Sequence, residues 1–462
     1  MSNALYRDLK NLVELLEKNA DMHDNDYRLK FHLMPPVGWL NDPNGLCKNG
    51  EFYHVFYQYS PFDVNGGVKH WGHYRSKDLI NWEKLPVIMY PDQPFDVHGV
   101  YSGSALVEDG IMYLYYTGNV KLDGDYDYIL NGREHNTVLA VCKDGLTVQN
   151  KQLLMKNCDY PENMTCHVRD PKVFKFEDKY YMVQGGRTKE NRGVLLVFES
   201  DDKINFKHIN TITTPDIFGY MWECPDLFCL DGAWFLVCSP QGVSQKGNHF
   251  QNIYSCGYFR LYGDFRGQYT LGEFKEFDFG FDFYAPQTFF DGNRRIMLGW
   301  LGMPDADYKN PTKHWQHSLT TFCTLTRSGD DIYRYPVKEI ESLRVKEIKP
   351  ENAITFDLEC ECEKTGKIII RSSLVIEWSE NLLTVTHIKG GNGRDVRKVD
   401  ICNINHLRIL ADTSSVEIFI NVGLYVVSTR YYPEDSDIGI VLSNNDSAKI
   451  WEMDSFKINE GC

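Results

Sequence analysis

Gly38-Trp39-Leu40-Asn41-Asp42-Pro43-Asn44-Gly45 is followed, after Leu46, Cys47 and Lys48, by the turn dipeptide Asn49-Gly50 and the run Phe52-Tyr53-His54-Val55-Phe56-Tyr57. Asn-Gly before an apolar and aromatic run is a strong hairpin signal. Upstream of it, Pro43 fixes its own φ and pushes Asp42 into an extended conformation, while Gly45 permits a tight exit. Taken alone, Asn-Asp-Pro-Asn is an ordinary turn. It gains weight because the chain repeats the arrangement. Asp109-Gly110, Glu177-Asp178, Asp231-Gly232 and Asp291-Gly292 each precede a similar strand, at intervals of 60, 68, 54 and 60 residues. A second echo keeps the same register: Ser76-Lys77-Asp78-Leu79-Ile80-Asn81-Trp82 resembles Ser200-Asp201-Asp202-Lys203-Ile204-Asn205-Phe206. Five long β-repeats with little helical signal between them predict an all-β chain built on a five-bladed β-propeller of four-stranded blades.

Working back from each turn locates the chemistry. Seven residues before the turn lie Asp42, Ser102, Asp170 and Tyr284; Glu223 lies eight before its own. If the strand carrying them is the innermost of each blade, all five face one axis. Three are carboxylates, and converging acids raise one another's pKa, which is costly unless it serves a purpose. Cleaving a glycosidic bond needs one protonated and one ionised carboxyl group. Glu223, flanked by Trp222, Cys224 and Pro225, is the expected acid; Asp42, pinned by Pro43, suits a nucleophile. Asp170 follows Arg169, whose charge is expected to keep it ionised and ready to accept hydrogen bonds from hydroxyls. A divalent-cation site is the competing use of three carboxylates, but the Asx-rich spacing of a calcium loop is absent. A non-catalytic sugar-binding propeller is a third use, although it has no need of three acids.

The rest of the chain bounds the answer. A length of 462 residues favours two domains. A net charge of -15 argues against nucleic acid and anionic membrane surfaces as partners. Thirteen cysteines, scattered without a framework, read as reduced thiols of a cytoplasmic protein, and no pair has the partners of a zinc site. No cofactor or metal is expected, and a homodimer is compatible with the sequence. Leu5, Leu9, Leu12, Val13 and Leu16 fall at helical spacing in a charged lead-in that lacks the apolar core of a signal peptide. No stretch reaches the roughly 18 apolar residues of a membrane span. The expected boundaries are a helical lead-in over 1–29, the catalytic propeller over 30–335, a part-helical linker over 336–350 and a C-terminal β-sandwich over 351–462. The sandwich shows no acidic constellation and reads as a packing module.

At these motifs the sequence resembles glycoside hydrolase family 32, which comprises invertases, fructan hydrolases and bacterial sucrose-6-phosphate hydrolases. Trp39-Leu40-Asn41-Asp42-Pro43-Asn44-Gly45 looks like the family's nucleophile motif, Arg169-Asp170-Pro171 like that of its transition-state stabiliser, and Glu223-Cys224-Pro225 like that of its acid/base. The resemblance covers nearly the whole chain. It implies a five-bladed propeller followed by a β-sandwich, and a retaining double displacement through a fructosyl-enzyme at Asp42. Trp39, Leu40, Asn41, Gln58, Trp71, Tyr101, Ser102 and Arg169 match its substrate-binding motifs; core packing is an equal reading of Trp71 and Tyr101. The implied substrates are sucrose, sucrose 6-phosphate or short fructans. The helical lead-in and Ser239-Pro240-Gln241-Gly242 look like the sucrose-6-phosphate hydrolase branch. Phosphate recognition would then draw on rim cations, with Arg75, Lys77, Arg187, Lys189, Arg192 and Lys246 as candidates. Phe322-Cys323-Thr324-Leu325 stands where the family usually carries Pro-Arg-Glu-Leu.

Overall fold

The computed structural model describes residues 3–20, 27–306, 312, 314–443 and 447–461. Its strands follow the repeat found in the sequence. The five turn dipeptides close hairpins between the first and second strands of five successive sheets: Gly38–Asn49 with Phe52–Ser60, Val100–Glu108 with Ile111–Lys121, Met164–Phe176 with Lys179–Thr188, Met221–Leu230 with Ala233–Gln241, and Tyr284–Phe290 with Arg295–Leu301. Asp109 and Gly110 have φ of 52° and 76°, and Asp231 and Gly232 have 47° and 77°. Two positive φ values in succession mark the turn whose twist matches that of a hairpin. Each sheet then gains two more antiparallel strands. The echoed Ser-x-Asp segments form matching turns: Ser76 and Ser200 donate to Asp78 and Asp202, which accept the N–H of Asn81 and Asn205, and Leu79 and Lys203 both take positive φ.

The first strands of the five sheets neighbour one another in a closed ring, the fifth returning to the first. Trp315–Gln316 seals the ring by pairing in parallel with Gly38–Trp39. Alternate residues along a strand supply different cores, as strand pleating requires. Tyr116 and Leu114 pack between the first and second sheets, Tyr115 between the second and third with Met182, and Tyr181 and Val183 between the third and fourth. Both faces are buried, so these strands read as nearly continuous apolar and aromatic runs.

The segment expected to be a linker is shorter than the sequence suggests. One 3-10 turn, Lys338–Leu343, leads straight into Arg344–Glu347, which pairs with Lys449–Met453 in a six-stranded sheet. A five-stranded sheet packs against that sheet over an apolar core that includes Ile368, Ile376, Leu383, Ile409 and Ile418. The last strand, Lys457–Glu460, leaves this unit and pairs in parallel with Asn81–Lys84 of the first sheet. A further tie comes from Phe279 and Phe281, which enter the C-terminal core while their N–H groups donate to Val426 and Ser428.

The N-terminal helix, Ala4–Lys18, is capped by the Asn3 side chain, which accepts from the Tyr6 N–H. Of its expected apolar face, Val13 is buried and Leu9 packs alongside it, whereas Leu5, Leu12 and Leu16 are exposed. The contact is a narrow seam, with Tyr6 set edge-on to Tyr90. No described helix is long and apolar enough to cross a membrane. Residues 1–2 and 21–26 of the lead-in lie outside the described residues.

Candidate active site

All five inner strands break their ladder at the same level. Two residues oppose one in each case: Asn41-Asp42 across from Gln58, Tyr101-Ser102 across from Thr117, Asp170-Pro171 across from Gln184, Cys224-Pro225 across from Cys238, and Ala285-Pro286 across from Gly299. A bulge re-aims side chains that a regular pleat would send alternately to opposite faces. Asp170, Cys224 and Ala285 each precede a proline and carry positive φ of 63°, 46° and 49°. Such backbone is strained for residues with a Cβ and persists where the surroundings impose it. Cys224, seven residues before its turn, occupies the place Asp170 holds in the third sheet. This accounts for the one-residue offset of Glu223.

The bulges surround a cavity of about 590 Å³ at the centre of the ring. Asp42, Ser102, Asp170, Glu223 and Tyr284 all line it, as do Trp39, Asn41, Gln58, Tyr101 and Arg169. Two of the expected substrate-binding residues do not. Leu40 and Trp71 are wholly buried in apolar cores, and the Trp71 indole N–H donates to the Tyr101 carbonyl at 3.0 Å. Leu40 points away because it sits on the other side of the pleat from Trp39 and Asn41. Trp71 backs the strand that carries Gln58 and helps to position Tyr101.

Asp42 is held through both oxygens. Asn41 Nδ2 donates to Oδ1 at 3.0 Å, and the Ser102 hydroxyl donates to Oδ2 at 2.5 Å. Gln58 lies 3.4 Å from Oδ2 and hydrogen-bonds Ser102. The Trp39 indole N–H in turn fixes the Asn41 carbonyl at 2.9 Å. Burial raises the Asp42 pKa, the Ser102 and Asn41 bonds oppose this, and the nearby Glu223 adds to it.

Arg169 does not do what its position in the sequence suggests. Its nearest atom to Asp170 is 3.9 Å away, while Nη2 and Nε bond Glu223 Oε1 at 2.5 and 3.2 Å. Gln241 and the Tyr284 hydroxyl donate to Glu223 Oε2 at 2.8 and 2.7 Å. Glu223 therefore sits among three donors rather than in the apolar surroundings expected from Trp222 and Pro225; Trp222 is fully buried behind it. Asp170 receives one backbone N–H, from Cys224 at 2.9 Å. Burial pushes its pKa up to about 7; Arg169 opposes the rise and Glu223 and Asp42 reinforce it. Arg169 still favours the ionised form of Asp170, as expected, but burial outweighs it, and the guanidinium's hydrogen bonds go to the carboxylate of the next sheet.

Lys69, Arg133, His135, Gln241, Trp300 and Gln316 also line the cavity. Only Gln241 carried a sequence signal. Burial draws the Lys69 ammonium down to about 7 against the pull of Asp42, and it stands 5.2 Å from the Trp39 ring centre. None of the six expected rim cations lines the cavity. Arg75 and Lys77 pair with Glu83 and Glu51. Arg187 bonds Asn191, and Arg192 bonds carbonyls of residues 214–216. Lys189 and Lys246 lie in surface turns. The departure at Phe322-Cys323-Thr324-Leu325 also lies away from the cavity: Phe322 stacks on Trp82, and Cys323 and Leu325 are buried in the core.

Residues 32–336 match the Glycosyl hydrolases family 32 N-terminal domain, and residues 372–460 match the Glycosyl hydrolases family 32 C terminal domain. A sucrose-6-phosphate hydrolase of Bacillus subtilis is 38% identical over 450 residues, covering 91% of this chain and 92% of that protein. One from Klebsiella pneumoniae is 36% identical over 426 residues, covering 87% and 88%. Among solved structures, a sucrose-6-phosphate hydrolase from Lactobacillus gasseri superposes with a TM-score of 0.88 at 28% identity, covering 98% of each chain. A β-fructofuranosidase from Bombyx mori does so with a TM-score of 0.86 at 28% identity, covering 98% of this chain and 99% of that one. With family matches spanning both the ring of sheets and the unit that follows it, the chain belongs to glycoside hydrolase family 32.

Proposed function

We propose that the protein is a retaining β-fructofuranosidase that releases fructose from sucrose or sucrose 6-phosphate. We read the ring of five sheets as a five-bladed propeller over 30–335 and the two sheets that follow as a β-sandwich whose role is packing. Closure of the ring, and the run of four antiparallel strands within each of its sheets, support that reading. The observation that carries the functional proposal is the convergence of Asp42, Asp170 and Glu223, from the first, third and fourth sheets, on one cavity. Relatives named for sucrose 6-phosphate hydrolysis, and a Bombyx mori variant solved with sucrose, support the substrate class. The free thiols of the described cysteines fit a reducing, cytoplasmic setting.

In the first step Glu223 gives its proton to the glycosidic oxygen as that bond breaks, and an Asp42 oxygen bonds the anomeric carbon of the fructosyl group. In the second, water attacks the same carbon, Glu223 takes the water's proton, and Asp42 leaves. Asn41 and Ser102 hold Asp42 for in-line attack. Gln241 and Tyr284 aim Glu223. Fructosyl hydroxyls donating to Asp170 favour its ionised form. A divalent cation is a poorer fit to the same trio, because each carboxylate already accepts protein donors.

Incubating the protein with sucrose and following the products by NMR tests the proposal. Fructose should appear first with its anomeric configuration retained. First-formed fructose of inverted configuration would exclude the covalent route, and no fructose from either sugar would exclude the activity.

A further inference from the structure

Two polar groups in the cavity wall have no partner. His135, the third residue of the third strand of the second sheet, is fully buried and makes no hydrogen bond through either ring nitrogen. Arg133, two residues earlier on the same side of the strand, has its Nε buried and unpaired, and no described carboxylate forms an ion pair with it. Of the other described cations that line the cavity, Arg169 bonds Glu223 and Lys69 is attracted by Asp42. Lys121 lies close enough to Arg133 for their charges to repel. The carboxylate of Asp127 is occupied by three backbone N–H groups. A guanidinium partly withdrawn from water without an anion is costly, and so are buried nitrogens with nothing to bond. Arg133, which lines the cavity with no described carboxylate paired to it, is placed to meet an occupant's negative charge.

Its place in the cavity says which part of the substrate that is. The His135 ring centre lies 6.0 Å from that of Tyr101 and 5.5 Å from that of His167, whose Nδ1 is 2.7 Å from Arg169 Nη1. Arg169 grips Glu223, the group that must face the leaving oxygen. Arg133 and His135 therefore stand on the side of the cavity where Arg169 holds Glu223, which we read as the leaving-group side.

We propose that Arg133, backed by His135, binds the phosphoryl group of a phosphorylated leaving-group sugar, and so sets the preference for sucrose 6-phosphate over sucrose. The guanidinium presents a fork matched to phosphate oxygens. This inference rests on the fructosidase reading for its substrate. The fit of an anion to the wall can be measured without turnover.

The test compares kcat/KM for sucrose 6-phosphate and sucrose in the intact protein and in Arg133→Gln and Arg133→Lys. The wild type should favour the phosphorylated sugar. The ratio should fall about 100-fold in Arg133→Gln, the range expected when a charge-assisted pair is lost, and recover in part in Arg133→Lys. A wild type without that preference, or a ratio within threefold of wild type in Arg133→Gln, overturns the proposal. Calorimetric titration of the same proteins with glucose 6-phosphate, glucose and fructose 6-phosphate gives a reading independent of catalysis. Glucose 6-phosphate should bind the wild type at least about tenfold tighter than glucose, and the advantage should vanish in Arg133→Gln. Equal binding of the two glucoses overturns the anion site, and tighter binding of fructose 6-phosphate overturns its assignment to the leaving group. Arginine-dependent binding of glucose 6-phosphate with no fructose release from either sugar would support the anion site and sink the fructosidase reading alone.

Discussion

Two clusters of buried carboxylates in this molecule have opposite electrostatics. At the junction between the ring of sheets and the C-terminal unit, His32 lies between Asp412 and Glu417, with Nδ1–Oδ2 and Nε2–Oε2 distances of 2.8 and 3.1 Å and all three side chains fully buried. Burial works against the imidazolium, but the two carboxylates overcome it and push its pKa up to about 9. Burial likewise works against both carboxylates, yet the bonds from His32 hold them below their ordinary range. At the cavity, Asp42 and Asp170 are buried with Glu223 as a like-charged neighbour, and both pKa values rise. At the junction the hydrogen-bonded imidazolium outweighs burial; at the cavity burial outweighs Arg169, which bonds Glu223 and lies 3.9 Å from Asp170, and the acids reinforce one another. Burial depth alone does not separate a structural cluster from a reactive one. Whether the neighbouring cation overcomes burial does.

The largest effects should mark the reactive cluster. Asp42→Asn and Glu223→Gln should each lower kcat for sucrose by on the order of 10⁴-fold or more while the far-ultraviolet circular dichroism stays unchanged. A tenfold loss or less in either would mean that the two clusters do not differ as described. Breaking the junction should instead cost stability. His32→Ala leaves two buried carboxylates without their cation and should lower unfolding stability by about 3–5 kcal/mol in urea titrations at pH 7. Trp71→Phe should cost about 2 kcal/mol of stability and leave KM nearly unchanged, since Trp71 packs behind the site. A KM effect larger than the stability effect would return Trp71 to the substrate surface.

pH separates the clusters further. His32 gains protons on folding, so its stabilisation is complete below its unfolded pKa of about 6.5 and is lost as pH rises through about 9. The raised pKa of Asp170 has the same sign in a lower window: wild-type stability falls as pH rises from the unfolded value of about 3.9 toward 7. Melting temperatures should therefore show Asp170→Asn gaining on wild type between pH 4 and 7 and holding a constant lead above. The slope between pH 7 and 9 should vanish in His32→Gln. The smallest predicted effect is kinetic. Activity should fall on the alkaline side as the proton that the leaving oxygen must receive is lost, and Asp170→Asn, by removing a like charge from the cavity, should move that limb toward lower pH. An unmoved limb would uncouple Asp170 from the acid.

Much of this was legible in the chain because it is local. Asn49-Gly50, Asp109-Gly110 and their counterparts determine where hairpins turn, since positive φ suits those residues. Counting seven or eight residues back then selects Asp42, Ser102, Asp170, Glu223 and Tyr284, because chain length along a strand fixes height in the ring. Tertiary structure alone decided what those groups meet. Arg169 is adjacent to Asp170 in sequence yet pairs with Glu223, 54 residues away in the next sheet. Leu40 and Trp71, inside or beside the motifs, turn into the cores. Arg133 and His135, which carried no motif, end in the cavity wall, and His32 finds its partners 380 and 385 residues downstream. Backbone turns are set by interactions within a few residues, whereas charge pairing and pKa depend on ångström-scale distances between blades, which exist only once the ring has closed.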